Sequence, residues 1–400
     1  MEKVRLGIIG IGNMGTGHLN NILNRQCPEI EVTAVADINP ARLDHACTMV
    51  EKARAEHPEI PEIATFTDAM EMISSGQVDA IIVAVPHYDH PRYCIAGLQA
   101  GLHVMSEKPA GVYAEQVREL MEEADKHPDL IYALMFNQRT NPLYRKMRDI
   151  IQSGELGQIR RSTWIVTGWY RPQAYYNSGA WRATWSGEGG GVLLNQCPHQ
   201  LDMWQWICGM PVKVDAKLHY GKWHDIEVED DVTAYVEYAN GATGVFITST
   251  GDARGSNRFE IQLDKAKLVA ENDQLKILEY ETTEQEFSKT NTIPFGQIKA
   301  VEVDPELDGQ NPQHKGVINA WADAILTGSP LIADGREGIN GLTLSNAMHL
   351  SSFLGKPVDI PFDHELYYEE LMKRVKTSRR KTNVSTGTVV DLSDTFTGTK

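Results

Sequence analysis

Cysteine is scarce in this 400-residue chain: five, at none of the spacings that mark a zinc site or a disulfide framework. Sparse thiols suit a reduced compartment, so a cytoplasmic location is the expectation. Positive charge is also short, with 38 Lys and Arg against 54 Asp and Glu and a formal net charge of −16. Nucleic acid and anionic lipid both reward clustered cations, so neither is an expected partner. No apolar run approaches the roughly 18 residues of a membrane helix, and the stretch 4–11 is too short and too broken by glycine for a signal peptide. What remains is an ordinary globular balance, 42% hydrophobic and 23% charged, which excludes wholesale disorder and collagen-like or coiled-coil chains. The length suits two or three domains.

Over residues 1–137 short apolar segments alternate with amphipathic ones. Segments 4–9, 31–36, 80–85, 103–106 and 131–136 read as strands, and 14–24, 41–56, 92–100 and 114–127 as helices. In the last helix Val117, Leu120, Met121 and Ala124 recur at i, i+3, i+4, i+7, which makes one apolar face. That alternation predicts right-handed crossovers and a parallel sheet covered on both faces. From 138 to 376 the pattern changes. A helix at 143–153 precedes longer alternating strands at 160–167, 212–220, 232–238, 243–250 and 258–263, with a hairpin turn at Asn240-Gly241 and late helices at 314–327 and 338–354. This predicts a second α/β domain with a large, mainly antiparallel sheet. Residues 377–400, rich in Thr, Ser and Lys, read as a polar tail, mobile or laid on a neighbour.

Three motifs carry chemistry. Gly10-Ile11-Gly12-Asn13-Met14-Gly15 follows a strand and opens a helix, and Asp37 ends the next strand. Gly10 serves the tight turn, Gly12 the approach of a pyrophosphate, and Gly15 helix–strand packing, while the helix N-terminus offers free N–H groups. Asp37 would accept from ribose hydroxyls and repel a 2′-phosphate, which favours NAD over NADP; Arg42 is the one nearby phosphate-friendly side chain. The second motif is Ser106-Glu107-Lys108-Pro109-Ala110, directly after a strand. Pro109 extends the backbone at Lys108 and is a candidate for a cis bond. The lysine would then point into the ligand crevice, where desolvation lowers its pKa. The third is the run from Gly189 to Asp202, with Pro198 starting a helix that Gly209 and Pro211 stop. Leu201, Trp204 and Cys208 would form its buried face. Asn195 and His199, four residues apart, would face one cleft, the imidazole held neutral by the helix start.

These residues together resemble the Gfo/Idh/MocA family of NAD(P)-dependent oxidoreductases. The fingerprint glycines, Val85-Pro86-His87 with His90, Glu107-Lys108-Pro109, and the glycine run into Asn195 and His199 carry the likeness, which spans residues 1 to about 360. The resemblance implies a Rossmann domain, and a second domain whose open sheet builds homodimers or homotetramers. It implies a cofactor site that adds Val85, Pro86, His87, His90, Glu107, Lys108 and Asn137 to the glycine loop, Asp37 and Arg42. By similarity Lys108 and His199 are the catalytic pair. Asn195 stands where the family's motif carries aspartate, and an amide can orient a hydroxyl but cannot accept its proton.

Between the expected domains, residues 164–185 hold four of the eight tryptophans: Trp164, Trp169, Trp181 and Trp185, with Tyr170, Tyr175, Tyr176, Arg171 and Arg182 among them. Aromatic faces and arginines suit a sugar ring; a subunit interface is the alternative use. Trp169, Tyr170, Arg171, Tyr175, Trp181, Arg182, Asn195, His199 and Lys108 are the expected substrate contacts. The run His224, Asp225, Glu227, Glu229, Asp230, Asp231 reads as a solvated loop, and no metal site is expected. The expected activity is oxidation of a secondary hydroxyl of a sugar, glycoside or cyclitol by NAD. His199 would take the proton and Lys108 would stabilise the alkoxide. Transient oxidation in a lyase or isomerase, and a non-catalytic sugar sensor, are the competing classes.

Overall fold

The computed structural model describes residues 3–379, 381 and 384. Six strands, β1 (Val4–Ile9), β2 (Ile30–Ala36), β3 (Ala64–Phe66), β4 (Ala80–Val83), β5 (His103–Ser106) and β6 (Tyr132–Leu134), form a sheet in the order β3-β2-β1-β4-β5-β6. Every pairing is parallel. All four residues of β4 are buried, as a strand covered on both faces requires. Strand order reverses between β1 and β4, so the crevice outside their C-terminal ends is the natural ligand position. The sequence pattern does not reveal β3 or the helix Ala69–Ser74 after it, both too short to show a period.

The second sheet has nine strands: β7 (Ile159–Val166), β8 (Lys213–Tyr220), β9 (Glu229–Glu237), β10 (Thr243–Ser249), β11 (Asn257–Leu263), β12 (Ala266–Glu271), β13 (Gln274–Tyr280), β14 (Ala300–Val303) and β15 (Val358–Asp359). Their order is β14-β13-β12-β11-β7-β10-β9-β8-β15, antiparallel throughout except for the parallel pair β7 and β10. The Asn240-Gly241 turn joins β9 to β10, with Gly241 at φ +84° and Gly241 N–H donating to the Tyr238 carbonyl at 2.9 Å. One face of β9 and β10 buries Val232, Ala234, Val236 and Phe246 in the core that the helices Pro198–Cys208 and Gly338–Leu354 complete. Trp164 belongs to that core. It is fully buried and stacked on Phe259, ring centroids 4.3 Å apart.

This core does not stop at the domain boundary. Ala110, Val112, Leu134 and Phe136 from the parallel half join Trp164, Leu201, Trp204 and Leu344 in one apolar cluster. The helix Pro198–Cys208 is correspondingly buried on nearly every side, not only along Leu201 and Trp204, while Cys208 is partly exposed. Thr377 ends the helix His364–Thr377 instead of opening a tail. Ser378 Oγ then donates to Glu227 at 2.6 Å, and Lys381 Nζ donates to the Tyr176 carbonyl at 2.7 Å. The rest of the expected tail lies outside the described residues. Among the described residues no helix is long and apolar enough to cross a membrane.

Candidate active site

The turn after β1 has the form a pyrophosphate needs. Gly10 has φ +92°, and a Cβ there would meet the Ala84 carbonyl oxygen at 2.4 Å. A Cβ on Gly15 would lie 1.9 Å from the Gly10 carbonyl oxygen, so only glycine lets helix and strand approach this closely. At Gly12 a Cβ would meet nothing within 4 Å, and no side chain caps the helix Asn13–Leu23 that starts there. Its first N–H groups, those of Asn13 and Met14, therefore have no side-chain cap and are left to an anion. Asp37 is buried and closes the far side, its carboxylate accepting from the Ile11 and Asn39 backbone N–H groups, both at 2.8 Å. Arg42 lies 3.3 Å from the same carboxylate, so its charge is already answered. These residues fit a dinucleotide.

Lys108 follows β5, and the Lys108-Pro109 bond is cis. Its ammonium donates to the Asn195 carbonyl at 2.9 Å, which ties the two domains across the cleft. Burial pushes its pKa down, and the Arg182 and Arg171 charges add to that against Glu107 and Glu188. The Glu107 carboxylate is buried beneath it, bonded to His18 at 2.7 Å. Burial raises that carboxyl, but the His18 hydrogen bond and the His18, His314 and Lys108 charges outweigh it and hold it at about 2. His90 spends both ring nitrogens on the Pro109 and Val85 carbonyls, each at 2.7 Å. It therefore clasps the turn at Val85 and Pro86 to the lysine loop instead of presenting a nitrogen to a ligand. His87 is buried, 3.1 Å from the Glu188 carbonyl. Asn137 is fully buried, its amide donating to Gln313 at 2.5 Å while its Oδ1 has no partner.

The glycine run forms the opposite wall. The Glu229 carboxylate accepts from the Gly191 and Leu193 N–H groups and meets His349 at 3.0 Å, which fixes the run onto β9. Asp202 takes a two-pronged bond from buried Arg139 at 2.8 and 2.7 Å, fixing the helix that carries His199. Burial pushes the His199 pKa well below its ordinary value, and Lys108 and His314 push the same way, so the ring is neutral. Its Nδ1 is buried without a hydrogen-bond partner. The Asn195 side chain does not join it. No hydrogen bond links them; the Asn195 amide donates to Glu188, and its oxygen accepts from the Tyr175 hydroxyl at 3.2 Å. Glu188 is buried, and burial raises its pKa against the pull of Arg182. The carboxylate beside position 195 therefore comes from seven residues upstream.

The aromatic segment divides. Trp164, Tyr176 and Trp185 are buried structural residues. Tyr175 joins the cleft network, accepting from Arg182 at 2.8 Å and from Gln196 at 3.1 Å. Trp169 and Trp181 flank it through Arg171 and Arg182, whose guanidinium carbons lie 5.6 and 4.7 Å from the two indole centroids. Tyr170 is 44% exposed, and only its backbone carbonyl meets this group. The acidic run divides: His224, Asp225 and Glu227 lie in a loop with Asp225 exposed, as expected, whereas Glu229 and Asp230 open β9. Glu229 and Asp230 are buried, Asp230 because three backbone N–H groups, from Lys222, Trp223 and His224, satisfy its carboxylate. Among the described residues no three His, Cys, Asp or Glu side chains converge as metal ligands. Glu188, His18 and His314 escaped sequence reasoning. A carboxylate opening a glycine run, and a histidine on the same helix face as Gly15 and Leu19, were the available signals.

A family model described as "Oxidoreductase family, NAD-binding Rossmann fold" matches residues 4–134, and the GFO/IDH/MocA C-terminal domain model matches residues 144–269. The chain belongs to the Gfo/Idh/MocA oxidoreductases. Residues 4–134 are thus an NAD-binding Rossmann domain, and the protein is an oxidoreductase. It is 23% identical to the uncharacterized oxidoreductase YrbE of Bacillus subtilis over 92% of this chain and 99% of that one. It is 27% identical to the myo-inositol 2-dehydrogenase of Thermotoga maritima over 67% and 75%. The WlbA dehydrogenase of Chromobacterium violaceum, solved with NADH and UDP-GlcNAcA, superposes with a TM-score of 0.75 at 25% identity, covering 91% and 97%.

Proposed function

We propose that this member of the family oxidises a secondary hydroxyl of a sugar, glycoside or cyclitol to the ketone, with preference for NAD. The observation that carries the reading is the cleft itself: a half-buried ammonium of lowered pKa and a neutral, buried imidazole in one electrostatic neighbourhood, outside the strand ends of a dinucleotide cradle. Bound NAD supplies the hydride acceptor, so the alcohol and NAD become ketone, NADH and a proton. The Lys108 ammonium keeps donors beyond its bond to Asn195, and these hold the substrate oxygen and stabilise alkoxide charge. The neutral His199 ring takes the hydroxyl proton. The His18 hydrogen bond helps hold Glu107 ionised, which keeps a negative charge beside Lys108 and preserves its ammonium form despite burial. Asp37 supports NAD over NADP, because a 2′-phosphate would meet its carboxylate. The myo-inositol dehydrogenase and the UDP-GlcNAcA complex among the relatives support a polyhydroxylated ring as substrate. A homo-oligomer built on the open sheet, in the cytoplasm, completes the reading. A panel of sugars and cyclitols with NAD, followed by NADH absorbance, tests it. Tight NAD binding with no NADH release from any of them would favour the isomerase or sensor classes instead.

A further inference from the structure

Both arginines of the cleft lack a carboxylate partner among the described residues. Arg171 spends one nitrogen on the neighbouring Tyr170 carbonyl at 3.0 Å, and Arg182 spends one on the Tyr175 hydroxyl. A guanidinium carries five N–H donors in a planar fork, so most of each remains unspent. Both guanidiniums pack on Tyr175, their carbons 5.2 and 4.5 Å from the centroid of its ring. Lys108 feels both, and Lys381 feels Arg182. The carboxylate that acts on Arg182 is Glu188, and it is committed to the Ala183 N–H and the Asn195 amide.

The carboxylates nearest these cations spend their oxygens inside the protein, Glu188 on Ala183 and Asn195 and Glu107 on His18 and the Lys108 backbone N–H, so the unspent guanidinium forks are left to bind an anion. Aromatic faces beside each guanidinium attract it but supply no charge. A hydrogen-bonded path then fixes where the anion would sit. Arg182 bonds the Tyr175 hydroxyl, Tyr175 bonds the Asn195 side chain, and the carbonyl of Asn195 holds Lys108. Arg182 is therefore linked to the lysine through two residues, Tyr175 and Asn195. That link suits an oxyanion carried by the reacting ring or its immediate substituent.

We propose that the substrate carries such an oxyanion, as a sugar carboxylate or sugar phosphate, gripped by Arg171 and Arg182 while Trp169 and Trp181 border the ring. This rests on the dehydrogenase reading above and narrows it. The test titrates the NADH-loaded, full-length protein with matched ligands, followed by the fluorescence of bound NADH. Glucose, galactose and mannose are each compared with their uronate and their 6-phosphate. At least one acid should bind about tenfold or more tightly than its neutral parent, the worth of a charge-assisted hydrogen bond. That preference should weaken with added salt and vanish in the Arg171→Gln/Arg182→Gln double variant. Arg182→Lys, which keeps charge but loses the fork, should keep part of it. The uronate and phosphate arms tell which oxyanion is preferred. Equal affinity of acids and parents across all three sugars, no binding of any acid, or a preference that survives in a folded double variant overturns the proposal. Binding preference is read without turnover, so failure of hydride transfer from every sugar falls separately on the dehydrogenase reading.

Discussion

Replacing Asn195 with aspartate tests the wiring of the cleft directly. In the native chain the Asn195 amide donates to the buried Glu188 carboxylate. Aspartate removes that donor and sets two carboxylates in contact. A hydrogen bond to a charged buried group contributes about 1.5–3 kcal/mol, and its loss is the first cost. Like-charge contact is the second, and the pair avoids it by binding one shared proton, which belongs to neither residue alone. The sign follows from linkage. The folded variant holds that proton at pH values where the unfolded carboxyls, with pKa about 4, have lost theirs. Stability of Asn195→Asp should therefore fall as pH rises above about 4, by about 1.4 kcal/mol for each unit by which the shared pKa exceeds the unfolded one. Above the shared pKa it should level off. Burial already raises the native Glu188 carboxyl, so native stability slopes the same way, less steeply. Urea unfolding of both proteins from pH 4 to 9 gives the difference curve. A gap independent of pH, or one that closes as pH rises, would show that Asn195 and Glu188 do not face each other. The acidic limb of kcat/KM reads the catalytic side, and it should stay in place if His199 is insulated from position 195.

Lys108→Met should bind NAD as the native protein does yet lose on the order of 100-fold or more in turnover; steady-state kinetics within threefold of native would remove the lysine from the mechanism. Asp37→Ser should relax the preference for NAD toward NADP, read as the ratio of their dissociation constants, and native protein that binds NADP tenfold better than NAD would refute the role of Asp37. The Glu107 carboxyl is held at about 2 in the fold, so its contribution is complete above the unfolded carboxyl pKa of about 4 and is lost as pH falls toward 2. Glu107→Gln should accordingly lose stability at neutral pH and flatten the acid limb of a melting-temperature profile between pH 5 and 2.

The parallel sheet was legible because burial on both faces writes continuous apolar runs, and the glycine loop because its backbone has no alternative to glycine at Gly10 and Gly15. The hairpin from β12 to β13 was legible in principle. Ala266, Leu268 and Ala270 alternate, Leu275 and Ile277 follow, and Asn272 and Asp273 sit at φ 52° and 57°, but a turn without glycine gives a weaker signal. Glu188 was not legible as a partner of Asn195. That contact needs the 184–195 segment to fold back on itself, with Glu188 N–H on Thr184 and Asn195 N–H on Gly191. The approach of His18 to His314 depends on the helix Gln313–Thr327 returning to pack against the N-terminal sheet, which no local pattern encodes. Glu229 and Asp230 misled because charge at the start of a strand looks the same whether water or backbone N–H groups satisfy it.

The apolar cluster that runs through both halves has a consequence for how the molecule comes apart. Domains joined by a polar linker melt separately, but here Val112 and Phe136 share packing with Trp164 and Trp204, so neither half can open without exposing the other. Calorimetry should record one cooperative transition, and NAD, although seated on the N-terminal half, should shift the whole of it upward. Two resolved transitions would mean that the shared core is too weak to couple them. The same continuity leaves little room for a hinge. Ser378 and Lys381 add to that continuity by tying segment 173–187 and Glu227 to the end of the helix His364–Thr377.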